Sequence, residues 1–301
     1  MNPRILAIFA ALTISLIYGV NHTIAKDLMP GVIKPYGFIL LRVTGAMIFF
    51  WGISLFYKSE KVERRDWWRF LACSTFGMVL NMNTFFKGLE LSTPINSSVV
   101  ITLSPVFLLV LSAFVLRERI SLLKGVGIFI GLIGALVLIL FGVKTQANAP
   151  NIPVGNLLFL VNALSYASYL VFVKKLVGKY KPITLLKFLF LFAFLINLPI
   201  GWAQFSEIEW ASLDFTKTWK ICFVVIGTTV LTYLLDIYAL KQLKPSTLGV
   251  FIYMQPLVAT IYAIVTGADQ LTSLRVFAAS LIFFGVYLAT RKKKVKIVVS
   301  D

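Results

Sequence analysis

The chain has 301 residues, of which 59% are apolar and only 14% charged. That is more apolar surface than a single soluble core can withdraw from water, which excludes an ordinary soluble domain. The formal net charge of +17 bears instead on which loops hold the lysines and arginines. Cys73 and Cys222 fall inside apolar stretches and match no zinc or redox spacing, so both are expected to be buried small side chains, with no metal or cofactor implied.

A membrane-crossing helix needs roughly 20 mostly apolar residues. Ten such spans are predicted, near 4–24, 36–56, 68–88, 94–116, 122–142, 155–177, 183–205, 218–240, 246–267 and 271–290, giving an all-α polytopic membrane protein. Arg4 precedes the first, but no small-x-small cleavage site follows it, so an uncleaved span is expected. With ten spans both termini share one side. The segments on that side hold 20 Lys and Arg against 7 on the other, which predicts cytoplasmic N- and C-termini. Arg291-Lys292-Lys293-Lys294 then reads as an anchor near anionic lipid, with the bilayer and a small molecule as partners and no nucleic acid. A bacterial inner (plasma) membrane is the expected location.

In chain order, the polar and ionisable groups within spans mark a bundle interior or a wet cavity, since they are costly in hydrocarbon. Span one offers Ser15, Tyr18 and His22 on one face, with Asn21 beside them and Lys26 beyond. His22, the single histidine, suits a proton switch or a hydrogen-bonded structural role. Arg42 in span two needs a partner or an anion; with His22, Lys26 and Lys87 it would form a basic lining for carboxylate-bearing cargo, which Glu90 could in part neutralise. Span three holds Asn81, Asn83, Thr84 and Lys87. Span four holds Ser97, Ser98 and Ser104 before Pro105, a residue that removes an N–H and favours a kink, hence a candidate hinge; Glu118 follows it. The glycines at 125, 127, 131 and 134 suit close packing within the fold or a homodimer face.

In span six, Asn162, Ser165, Tyr166 and Tyr169 fall at i, i+3, i+4 and i+7, on one helix face. They are candidates for a cavity wall, or for hydrogen bonds that hold helices together. Span eight offers Thr229, Thr232, Tyr233 and Asp236. Lys87 and Asp236 read either as halves of a gate or as groups snorkelling to water. Span nine adds Tyr253 and Gln255 beside Pro256, the second candidate hinge. Asp269 follows it and, like Glu118, precedes a helix start, where a carboxylate caps free N–H groups or carries a proton.

The second half echoes the first. An offset of 151 takes Trp68 to Trp219, Pro94 to Pro245, Pro105 to Pro256, Glu118 to Asp269, Lys124 to Arg275 and Gly134 to Gly285. A looser offset near 148 takes Tyr18 and Lys26 to Tyr166 and Lys174. Two five-span units are therefore predicted, 1–147 and 148–301. Because five is odd, the second must enter the membrane in the opposite sense. Inverted repeats are a hallmark of secondary transporters, where one architecture seen from either side gives two states of similar energy.

This layout, with Pro105, Glu118 and Gly134 matched by Pro256, Asp269 and Gly285, resembles the drug/metabolite transporter superfamily and within it the EamA-type ten-helix exporters. Tyr18-Gly19, Lys26 and Arg42 also fit, although family members commonly carry Trp at the position of Tyr18 and Glu at that of Asp269. The resemblance implies alternating-access export of amino acids, metabolites or amphipathic drugs. The competing reading is a membrane scaffold or channel-like protein without alternating access. The sequence has no GxxxxGK[ST] loop for an ATP-driven pump and no HExxH for an intramembrane metalloprotease, so an enzyme is not expected.

Overall fold

The computed structural model describes residues 3–57, 60–116, 122–141, 145–243, 248 and 251–290, and among them the chain forms ten helical spans and no paired strands. They are α1 (Pro3–Leu28), α2 (Pro35–Ser54), α3 (67–91), α4 (94–116), α5 (Leu122–Leu140), α6 (Ile152–Val177), α7 (Pro182–Ser206), α8 (Phe215–Gln242), α9 (Met254–Val265) and α10 (Ser273–Thr290). Among the described residues, six apolar helices are long enough to cross a membrane on their own: α1, α2, α4, α6, α7 and α8. Glu118, Lys244 and the basic tail lie outside the described residues.

Local chemistry starts these helices. Proline opens α2, α4 and α7 at positions whose N–H would lack a helical partner anyway. The side chains of Thr93, Asn151 and Asp214 accept the first free N–H groups of α4, α6 and α8, from Asn96, Val154 and Lys217 respectively.

Four spans depart from regular α-helix, in two matched pairs. In α4 the winding breaks at Thr102-Leu103 between Pro94–Ile101 and Ser104–Leu116. Pro105 cannot donate to Ile101 O, and the Ser104 hydroxyl does so instead at 2.7 Å. The matching turn stands at 252–253, just before α9, where Pro256 likewise leaves Ile252 O, which Gln255 N takes at 3.0 Å. Ser104 is thus committed to repairing its own helix and is not a cavity group. The second pair was not foreseen: α3 is π-helical over Thr75–Leu80 and α8 over Phe223–Leu231.

The packing carries the same two-fold relation. α2 lies along α7 and α5 along α10, each beside its own repeat mate. α1 packs on α8 and α9, and its mate α6 packs on α3 and α4. The α5–α10 seam closes on glycine: a Cβ at Gly285 would stand 2.4 Å from Gly131 N and 2.6 Å from Gly127 O. The span-five glycines 127 and 131 therefore pack within the fold, while Gly125 faces open space. Large apolar side chains such as Ile48, Phe114 and Phe129 point outward, as a surface solvated by lipid tails requires. Cys73 is buried as expected, but Cys222 is exposed on that outer surface.

One loop cluster is polar and buried. Asp66 accepts from Arg69 Nη1 at 2.7 Å, Lys179 Nζ at 2.6 Å and the Tyr180 hydroxyl at 2.8 Å, tying the segment before α3 to the α6–α7 connection. The Lys179 hydrogen bond leads these contacts in drawing the carboxyl down to about 2. The folded form thus favours the charged carboxylate, so its contribution is complete above the ordinary aspartate range and is lost as pH falls from about 4 to about 2. Asp66→Asn is expected to remove about 2 kcal/mol at neutral pH and to flatten the acid limb of stability. Thermal unfolding in detergent across that range checks it; parallel acid limbs in both proteins would refute it.

Candidate functional site

Seven spans meet around a cavity of about 80 Å³. Its wall includes Tyr18, Asn21 and His22 from α1, Arg42 from α2, Asn81 from α3, Asn162 and Tyr166 from α6, Tyr233 from α8 and Gln255 from α9. The sequence named all of these. It did not name the apolar part of the wall, Met82, Phe85, Phe86, Ile101 and Ile252, because such residues within a span read as ordinary core.

Arg42 is the fixed charge of the site. Its Nε donates to Thr229 Oγ1 at 2.8 Å, its Nη2 donates to Thr228 O and Thr228 Oγ1 at 3.2 and 3.1 Å, and the guanidinium lies 4.7 Å from the centroid of the Phe86 ring. These contacts hold the plane of the fork against the π-helical stretch of α8. Nη1 has no hydrogen-bond partner among the described residues and keeps its donors for a further acceptor.

His22 is buried, with Nδ1 2.6 Å from Ser97 Oγ, while Ser97 Oγ is 2.8 Å from Pro94 O. Both contacts are satisfied if Ser97 donates to Pro94 and the ring proton sits on Nδ1, leaving Nε2 as an acceptor. Asn81 and Asn162 each donate Nδ2 to the other's backbone carbonyl, at 3.3 and 2.7 Å, binding α3 to α6. They line the wall and fasten the helices together. The tyrosines are also anchored: Tyr233 donates to Gly77 O at 2.8 Å, Tyr18 accepts from Thr232 Oγ1 at 3.0 Å, and Tyr166 donates to Asp236 Oδ2 at 3.3 Å.

Other expected members stand elsewhere. Asn83 turns to α7 and donates to Asn197 Oδ1 at 2.7 Å. Tyr169 is fully buried, its ring against the space where Gly77 lacks a Cβ, so the i+7 position of the span-six face packs beneath the wall. Tyr253 packs edge-on against Phe283, and Asp236 sits behind Tyr166 rather than on the wall.

The expected basic lining also separates. Lys26 donates to the carbonyls of Leu89 and Glu90, closing the C-terminal end of α3, and Lys87 pairs with the Glu90 carboxylate. Arg42 and His22 alone face the cavity from that set. Asp269 corrects a further expectation. Besides Gln270 N, it accepts the N–H of Ile95 at 3.3 Å, in the first turn of α4 rather than of α10, and it pairs with Arg275 at 2.7 Å.

Comparison with known proteins gives a consistent picture. The chain matches the EamA-like transporter family twice, over residues 5–140 and 153–291. It is similar to an uncharacterized transporter of Archaeoglobus fulgidus, 32% identical over 197 residues that cover 65% of this chain and 68% of that protein. It is also similar to the uncharacterized transporter YetK of Bacillus subtilis, 23% identical over 234 residues, covering 77% of this chain and 71% of that one. A solved crystal structure of 19% identity shares the fold with a TM-score of 0.64, over 94% of this chain and 96% of that chain.

Proposed function

The chain belongs to the EamA-like transporter family, and from that premise we propose that it exports small carboxylate-bearing organic solutes, amino acids foremost, by alternating access through the seven-span cavity. The observation that carries this reading is Arg42, clamped by Thr228 and Thr229 with Nη1 turned to no described partner. Around it, phenol, amide and imidazole groups supply short polar handles, and Phe85 and Phe86 supply π-faces for the rest of a solute. The break in α4 at Thr102-Leu103 and the turn at 252–253 just before α9 support alternation, since each lies beside the cavity next to a proline, where a missing helical N–H lowers the cost of bending. The proposed setting is a bacterial inner membrane with both termini in the cytoplasm.

The test is labelled amino-acid exchange in liposomes containing the purified protein. Saturable exchange accelerated by unlabelled solute on the opposite side is expected. Tyr166→Ala, which removes one wall and its anchor, is expected to raise the half-saturating concentration about tenfold or more. Non-saturable flux without acceleration from the far side would favour a channel instead.

A further inference from the structure

Three aspartates are buried among the described residues, and two of them are ion-paired: Asp66 with Arg69 and Lys179, and Asp269 with Arg275. The third, Asp236, is 1% exposed. Its Oδ2 accepts from the Tyr166 hydroxyl at 3.3 Å, and its Oδ1 meets no partner among the described residues. The Tyr169 hydroxyl beside it is also buried and unpartnered. A carboxylate stripped of water and counter-ion is costly unless a proton or another cation joins it.

The neighbours restrict what can join it. α6 presents Tyr166 and Tyr169, α1 presents Tyr18, and α8 itself carries Tyr233; all are neutral phenols. Arg42 on α2 is turned to Thr228 and Thr229. On α7 the Lys187 ammonium lies over Trp51 and Phe188, and Asn197 is taken by Asn83. Lys174 on α6 donates to the carbonyls of Leu240 and Leu243, farther along α8. The Tyr18 hydroxyl already accepts from Thr232. Too few oxygens remain for a metal cation, whereas a proton needs only Oδ1 or Oδ2 and a donor to deliver it.

We propose that Asp236 is a proton-binding site loaded and unloaded through the Tyr166 hydroxyl, and that export through the cavity is exchanged against the proton it carries. Tyr166 stands in the wall with its hydroxyl on Asp236. In loading, the phenol passes its proton to Oδ2 and takes another from a hydronium ion in the cavity, which is left as water, so the phenol ends neutral and nothing is oxidised or reduced. Cargo against Tyr166 displaces that water, so cargo and the exchangeable proton occupy the site in turn. This coupling rests on the cavity reading above; proton binding by Asp236 does not.

Two measurements separate the claims. In the purified protein without cargo, the protonated-carboxyl stretching band is followed by infrared spectroscopy as pH rises, in wild type and Asp236→Asn. A band that disappears with pH in the wild type and is missing from the variant is expected; identical difference spectra would overturn proton binding. In liposomes, Asp236→Asn is expected to keep amino-acid exchange at equal pH within about twofold of wild type while uphill movement driven by a pH gradient falls to background. Loss of equal-pH exchange in a variant of unchanged elution and melting temperature would overturn the proposal, as would uphill movement driven by sodium alone. A wild type that exchanges nothing overturns the cavity reading and the coupling with it, and the infrared result still decides proton binding.

Discussion

Arg42→Ala is expected to raise the half-saturating concentration of carboxylate-bearing cargo about tenfold to a hundredfold, because a hydrogen bond to a charged group contributes about 1.5–3 kcal/mol and this one forms away from bulk water. The fold should survive the change. The Thr228 and Thr229 hydroxyls, which accept from the guanidinium, also donate to Val224 O at 2.6 and 3.0 Å, so neither becomes an orphan. The discriminating measurement is exchange of an amino acid beside that of the matching amine without its carboxylate. A loss confined to the acid supports the role given to Nη1. Equal losses for both would mean that Arg42 merely braces α8 against α2, and would sink it. Arg42→Lys should fall between, since an ammonium keeps the charge but cannot hold Thr228, Thr229 and cargo in one plane.

The second large effect is on stability. The Asp269 and Arg275 side chains are 1% and 6% exposed, and they join the loop after α9 to the first turn of α4. Arg275 also donates to Thr93 Oγ1 at 3.2 Å and to the Gln270 carbonyl. Asp269→Ala leaves a guanidinium buried without its counter-charge, which costs about 3–5 kcal/mol when one partner of a buried pair is removed. Asp269→Ala combined with Arg275→Met should recover more than half of that loss, since it removes the stranded charge as well. Melting of the three proteins in the same detergent checks this. A double variant no more stable than Asp269→Ala would show that the bond to Ile95 N, rather than the ion pair, is what matters.

The ten spans and their pairing were legible because lipid imposes long apolar runs and because an offset of 151 aligns Pro105 with Pro256 and Glu118 with Asp269. Much of the polar wall was legible for the same reason: Tyr18, Asn21, His22, Arg42, Asn162 and Tyr166 are polar groups where hydrocarbon tolerates few. Partner choice was not legible. Lys26, Lys87 and Arg42 look alike in a sequence, yet one closes a helix end, one pairs with Glu90, and one faces the cavity. That sorting depends on which carbonyls and hydroxyls the neighbouring helices bring within reach. Asn83 and Asp236 were misplaced as wall residues for a second reason: they were chosen as polar groups within spans and not by face, and Asn83 stands two residues from Asn81, on the other side of the same α-helical stretch, while Asp236 sits behind Tyr166.

Those two spans have a practical consequence for anyone rebuilding the protein from pieces of its relatives. A π-helical stretch holds more residues per turn than the helix on either side, so Thr75–Leu80 and Phe223–Leu231 each act as a phase adjuster between two half-spans. Rewinding the same six residues at 75–80 as ordinary α-helix would swing Asn81, Met82, Phe85 and Phe86 by about 100° around the axis. Splice points for chimaeras therefore belong outside these stretches. A junction placed within one would keep a span that inserts and packs but aims its far half at the wrong neighbours.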